Sequence, residues 1–147
     1  MAAPILQSPD IAHLIQLAVA PVFLLSGVGV TLNVLTIRLA RIIDRARTIE
    51  AEMAAAAEPP QVLHARLKVL ARRSKFINGA IALATVSAML VTLTVMQLFA
   101  NDLLPFNLST AIAITFVSSM MLLTLALLLF FIEVRIATAA LRFGGKT

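Results

Sequence analysis

LIQLAVAPVFLLSGVGVTLNVLTIRLARIIDRAR, from Leu14 to Arg47, is the stretch that decides the fold. It contains no charged residue as far as Ile37, and about 20 apolar residues suffice to cross a bilayer. From Arg38 onward it interleaves arginines with aliphatic residues and contains no glycine or proline. The stretch therefore predicts one continuous helix that crosses a membrane and leaves it as an amphipathic helix.

The composition also indicates a membrane protein. Of 147 residues, 61% are hydrophobic and 13% are charged, with a mean hydropathy of +1.00. Soluble domains are nearer about 45–50% apolar and about 25% charged. The length suits a single membrane domain, residues 1–147. The absence of cysteine excludes disulfides, thiolate metal ligands and cysteine nucleophiles.

Helix start and stop signals divide the chain into three helices. Ser8-Pro9-Asp10 favours a helix start, and Pro59-Pro60 ends the first helix near Ala57. A short loop, 101–107, ends with Asn107 as a cap for the third helix, which Gly144-Gly145 terminates. The predicted transmembrane segments span about 14–37, 77–100 and 108–132, and a connection of about 38–76 joins the first two.

The basic residues predict how the chain is threaded. All 12 lysines and arginines lie in the long connection or after residue 132, and none lies in the 101–107 loop. By the positive-inside rule, the connection and the C-terminus are cytoplasmic, and the N-terminus and the short loop lie outside.

The connection carries two series of apolar residues at alternating spacings of four and three, a heptad pattern. The pattern predicts an antiparallel helical hairpin that extends the first two helices about 20–30 Å into the cytoplasm. Arms lying flat on the membrane surface are the alternative. The two series are Leu35, Leu39, Ile42, Ala46, Ile49, Met53 and Ala56, and Leu63, Leu67, Leu70, Ser74, Ile77, Ile81, Ala84 and Ala88.

Two segments resemble the DUF2721 family of bacterial membrane proteins, whose function is unknown. They are APVFLLSGVGVTLNVLTIRLARIIDRAR, from Ala20 to Arg47, and FFIEVRIATAALRFG, from Phe130 to Gly144. The resemblance extends over about Ile11 to Phe143. It implies a bacterial origin and a membrane domain of three helices, and it supplies no catalytic residue.

A polar and small-residue stripe follows one face of the first helix. Such a stripe is typical of close helix packing, and it can also line a water-filled path. Its members are Ser26, Gly29, Asn33, Thr36 and Ala40, with Asp44 near the same line. Pro21, on the same helix, removes a backbone hydrogen bond and favours a kink, either at a gate or at a plain helix crossing.

Charged residues at the inner ends of the helices have three predicted roles. Glu133 is the only acid near the inner end of the third helix, and we expect it to pair with a base of the first or second helix, such as Arg38 or Arg41. A proton or cation site is the alternative there. Arg72, Arg73 and Lys75 are expected to contact anionic lipid headgroups, which the net charge of +5 favours over nucleic acid.

The pattern of arginines bears on any pore. Arg38, Arg41 and Arg45 lie roughly 130° from the polar stripe around the helix axis. A path along the stripe would therefore meet Asp44 and prefer cations.

No catalytic arrangement is visible in the sequence. It contains no nucleophile–base combination, phosphate-binding glycine loop or metal motif, so we expect neither an enzyme nor a cofactor. Asp10 and His13 suit an exposed helix start better than a metal site. Two hypotheses remain: a self-associating structural or interaction protein, and a homo-oligomeric, cation-preferring channel lined by the first helix.

Overall fold

A computed structural model describes residues 8–55, 59–103, 105 and 107–142. These residues form three helices, α1 (Ser8–Ala54), α2 (Pro60–Leu103) and α3 (Ser109–Arg142), and contain no strand. Each helix is long and apolar enough to cross a membrane, and their most apolar 18-residue windows have mean hydropathies of 2.0, 2.0 and 2.4. The predicted all-α fold of three helices, each long and apolar enough to span a membrane, is confirmed.

The helix ends follow local chain chemistry. α2 begins at Pro60, whose fixed φ angle suits the first turn of a helix. It continues to Leu103, three residues beyond the predicted end of the transmembrane segment. Pro105 follows closely, and proline disfavours continuation of a helix. The predicted end of α1 near Ala57 and the Gly144-Gly145 stop lie outside the described residues.

Two asparagine side chains hold the start of α3. The Oδ1 atom of Asn107 accepts a hydrogen bond of 2.9 Å from the backbone N–H of Ser109. The Oδ1 atom of Asn101 accepts one of 2.7 Å from the N–H of Leu108. Both bonds satisfy N–H groups that have no partner within the helix. The predicted capping role of Asn107 therefore agrees with the structure, and Asn101 ties the end of α2 to the start of α3.

α2 lies between the other two helices and packs along both of them. Two small residues allow this close approach: Ala84 of α2 and Ala126 of α3, which form one buried cluster with Val28 of α1. Gly79 shows the same tightness, because a Cβ atom there would lie 3.2 Å from Cδ1 of Leu129. Packing of small residues is the usual source of helix association in lipid, where the hydrophobic effect gives no drive.

The buried side of α1 repeats every seven residues. Its fully buried members are Pro21, Val28, Leu35, Ile42 and Ile49. α1 is unbroken through Pro21. Every described member of the two predicted heptad series is buried or half-buried. The projection of this seam beyond the membrane, as a cytoplasmic hairpin, stays a prediction.

A second seven-residue repeat joins α2 to α3. Ala80, Ser87 and Thr94 are buried on α2, and Ser119, Ala126 and Glu133 are buried on α3. The hydroxyl of Ser87 donates a 2.8 Å hydrogen bond to the backbone oxygen of Ser119. α2 therefore presents one face to α1 and another to α3.

Candidate functional site

Glu133 is the centre of a charged cluster at the level where the predicted transmembrane segments of α1, α2 and α3 meet their basic extensions. Its side chain has no solvent exposure. Nη2 and Nε of Arg73 donate to its Oε1 atom at 2.7 and 3.1 Å. Nε of Arg38 lies 3.5 Å from its Oε2 atom, an ion pair that is longer than a hydrogen bond. The carboxylate thus joins α1, α2 and α3.

The two arginines are held on more than one side. The guanidinium carbon of Arg38 also lies 5.3 Å from the ring centroid of Phe130, within the range of a cation–π contact. The side chains of Arg38 and Arg73 are 32% and 24% exposed, so both reach solvent while Glu133 does not. Removing a partner from a buried charge is costly, because the remaining charge loses its compensation. The arrangement is suited to fastening the helices together.

The other basic residues with predicted roles are Arg41, Arg72, Arg73 and Lys75. Arg41 is exposed and makes no ion pair with Glu133 or any other described residue. Arg73, for which contact with lipid headgroups is predicted, pairs with Glu133, because it lies seven residues before Ala80 on the α3-facing side of α2. Its contact with lipid stays a prediction. Arg72 and Lys75 are exposed and line a separate surface with Lys68.

An open groove of about 520 Å³ lies beside the Glu133 cluster. We call it the arginine groove. Four arginines contribute to it, together with aliphatic residues of α1 and α2. Its lining consists of Val34, Ile37, Arg38, Arg41, Ile42, Arg45, Leu70 and Arg73.

The polar stripe of α1 lies on the outside of the three-helix unit. We call it the α1 polar face: Ser26, Gly29, Asn33, Thr36 and Asp44, all exposed. A Cβ atom added at Gly29 would meet nothing within 4 Å. The hydroxyl of Thr36 donates hydrogen bonds to the backbone oxygens of Leu32 and Asn33 in its own helix. The α1 polar face therefore packs against neither α2 nor α3.

A comparison with models of known protein families shows to which family the chain belongs. The model of DUF2721, described as a protein of unknown function, matches residues 18–143. The chain belongs to the DUF2721 family. The resemblance inferred from the sequence is thus confirmed. No curated protein and no solved structure matches this DUF2721 chain.

Sequence reasoning missed three polar side chains of this DUF2721 protein. Ser87 bonds to α3, and Thr94 is buried with its hydroxyl on the backbone oxygen of Leu90. Oε1 of Gln97 is buried and has no hydrogen-bond partner among the described residues. Ser87 and Thr94 continue the seven-residue series of Arg73 and Ala80, so that spacing was the available signal.

The described residues offer no cluster of three or more histidine, cysteine, aspartate or glutamate side chains that could hold a metal ion. His13 and His64 are both exposed and lie on different helices. The side chain of Asp10 lies outside the described set. The charged side chains that the described residues do bring together are those of the Glu133 cluster and the arginine groove.

Proposed function

We propose that this DUF2721 protein is a non-enzymatic, multi-pass protein of a bacterial cytoplasmic membrane that self-associates through the α1 polar face. Three apolar helices support the membrane assignment. The one-sided distribution of all 12 basic residues supports a cytoplasmic C-terminus and an outside N-terminus. The heptad seam of the connection supports a cytoplasmic helical hairpin that is available to partners.

One observation carries the proposal: Asn33 is exposed on a helix that is apolar enough to span a membrane. Asn33 lies five residues before Arg38. This spacing places Asn33 about 7.5 Å from Arg38 along the helix axis, on the side of the apolar segment. An amide that faces hydrocarbon leaves its polar atoms unsatisfied, whereas an amide that faces another copy can form hydrogen bonds across the contact. Gly29 lies on the same face and would let the two backbones approach closely.

We expect Asn33→Leu and Gly29→Leu to reduce assembly. A Cβ atom at position 29 would meet nothing within 4 Å in one chain, so Gly29→Leu should leave the fold intact while it separates the copies. Interhelical polar contacts in membranes contribute about 0.6–2 kcal/mol each, so the dissociation constant should rise several-fold for Asn33→Leu, and more for Gly29→Leu. Mass photometry in nanodiscs, with concentration series in detergent, measures the subunit count.

Asn78→Leu is the matched control for the assembly experiment. Asn78 is also an exposed asparagine, but it lies on α2 and away from the α1 polar face. Its replacement should leave the subunit count unchanged. A monomeric parent, or equal assembly of all three variants and the parent, would refute the proposal.

A cation-preferring channel is the second candidate function. It is favoured by Asp44, because this exposed acid continues the α1 polar face beyond Thr36. Arg38, Arg41 and Arg45 instead line the arginine groove. If copies of α1 surround a path, acidic side chains would line its inner mouth, and such side chains favour cations.

We expect Asp44→Asn to weaken cation selectivity in reconstituted bilayers, and Asn33→Leu to reduce current by making the path apolar. Reversal potentials in asymmetric salt measure the selectivity. Glu50→Gln is the control, since Glu50 is an exposed acid of α1 beside Leu67 and Leu70. A silent bilayer with the parent protein, or anion selectivity, would exclude this channel and leave the structural role.

A further inference from the structure

We propose that the arginine groove binds the phosphate of an anionic membrane lipid. The groove brings four guanidinium groups together from two helices, and one carboxylate, Glu133, lies among them. Four positive charges against one negative charge leave a local surplus of three. A site of that charge is suited to a phosphate group, which guanidinium groups contact with paired hydrogen bonds.

The interior pair of arginines, Arg38 and Arg73, is already held in place by Glu133. Arg73 directs two N–H groups at Glu133, and Nε of Arg38 lies 3.5 Å from the same carboxylate. A guanidinium carries five N–H groups, so each arginine keeps further donors for a ligand. Because Glu133 and Phe130 restrain these side chains before any ligand arrives, binding would lose less side-chain entropy.

The outer pair of arginines is uncommitted. Arg41 and Arg45 are exposed, and neither makes an ion pair with a residue of the described ranges. They lie one and two turns beyond Arg38 on the same side of α1. A phosphate held between the pairs would be contacted from α1 and α2 together.

The apolar part of the groove lining, Val34 and Ile37, indicates that the phosphate belongs to a lipid. Val34 lies four residues before Arg38, about 6 Å toward the centre of the membrane span. Val34 and Ile37 are 41% and 48% exposed. A soluble phosphate ion would leave this apolar surface uncovered, whereas the acyl chains of a lipid would cover it. The groove thus changes from charged to apolar in the same direction as a lipid molecule.

Binding to the detergent-purified protein tests this inference, whatever its subunit count. The probes are dioctanoyl phosphatidylglycerol, dioctanoyl phosphatidylcholine and inorganic phosphate. We expect the anionic lipid to bind at least about tenfold more tightly than the zwitterionic lipid. The double variant Arg41→Gln/Arg45→Gln should lose about tenfold in affinity for the anionic lipid, and Arg45→Gln alone should lose less.

The matched control is Arg47→Gln/Arg135→Gln, which removes the same charge from exposed positions outside the groove. Its affinity should stay within about twofold of the parent. Circular dichroism checks that both double variants keep their helix content. Equal losses in the two double variants, or equal binding of the two lipids, would overturn the site. Displacement of the anionic lipid by inorganic phosphate at comparable concentration would overturn the lipid assignment.

Discussion

Arg73→Gln should lower the free energy of unfolding by about 3 kcal/mol, toward the lower end of the range for removing one partner of a buried ion pair. The variant leaves the fully buried carboxylate of Glu133 with only Arg38, at 3.5 Å. The chain contains no tryptophan or tyrosine, so circular dichroism or calorimetry in detergent is the suitable measurement.

Arg72→Gln is the control for this prediction, because Arg72 is the exposed neighbour of Arg73 and carries the same charge. Its effect should stay within about 0.5 kcal/mol. Glu133→Gln should cost less than Arg73→Gln, since the guanidinium groups that it leaves behind reach solvent. The double variant should cost less than the sum of the two single variants, which is the signature of direct coupling. Additive losses, or a loss equal to that of Arg72→Gln, would contradict the role of the pair.

Ile49→Asp should separate the ends of α1 and α2 that approach the connecting turn. Ile49 is 1% exposed, so an aspartate there is either buried without a partner or released by opening the helices. Burial of an unpaired charge costs several kcal/mol, so opening should prevail. Limited trypsin digestion with mass-spectrometric mapping should then show faster cleavage at Arg47, Arg66 and Lys68, by at least about tenfold.

Ile43→Asp provides the comparison for Ile49→Asp. Ile43 has the same chemistry on the same helix but is 42% exposed, so its digestion rate should stay within about twofold of the parent. Equal digestion of the two variants would mean that the ends of α1 and α2 are held apart rather than packed together.

The number and extent of the helices were predictable because their signals are local. Hydropathy runs, the Pro59-Pro60 pair and the Asn107 cap each act within a few residues of where they occur. The buried positions on α1 were also predictable from Leu35 to Ile49, because a seven-residue spacing marks one side of a helix.

The roles of individual charges were less predictable, because they depend on which helix lies next to which. Sequence spacing places Arg73 on a face of α2, but it does not say that α3 covers that face. The sequence therefore allowed a base of the second helix as a partner of Glu133 but did not identify Arg73 as that base. For Arg41 the reverse occurred, since the structure places it in the arginine groove without an ion pair to Glu133.

The central position of α2 has a consequence for how copies of this protein can combine. With α2 in the middle, α1 and α3 form two unlike edges of the described unit. A contact of the α1 polar face with itself is isologous and closes as a two-fold dimer, whereas copies of α1 around a channel would meet through different faces of the helix. A contact of α1 with α3 is heterologous, so each copy leaves one edge free until the rotation closes a cycle of three or more subunits. A subunit count of two is thus the count expected for paired α1 polar faces, and a larger odd count would indicate a heterologous contact.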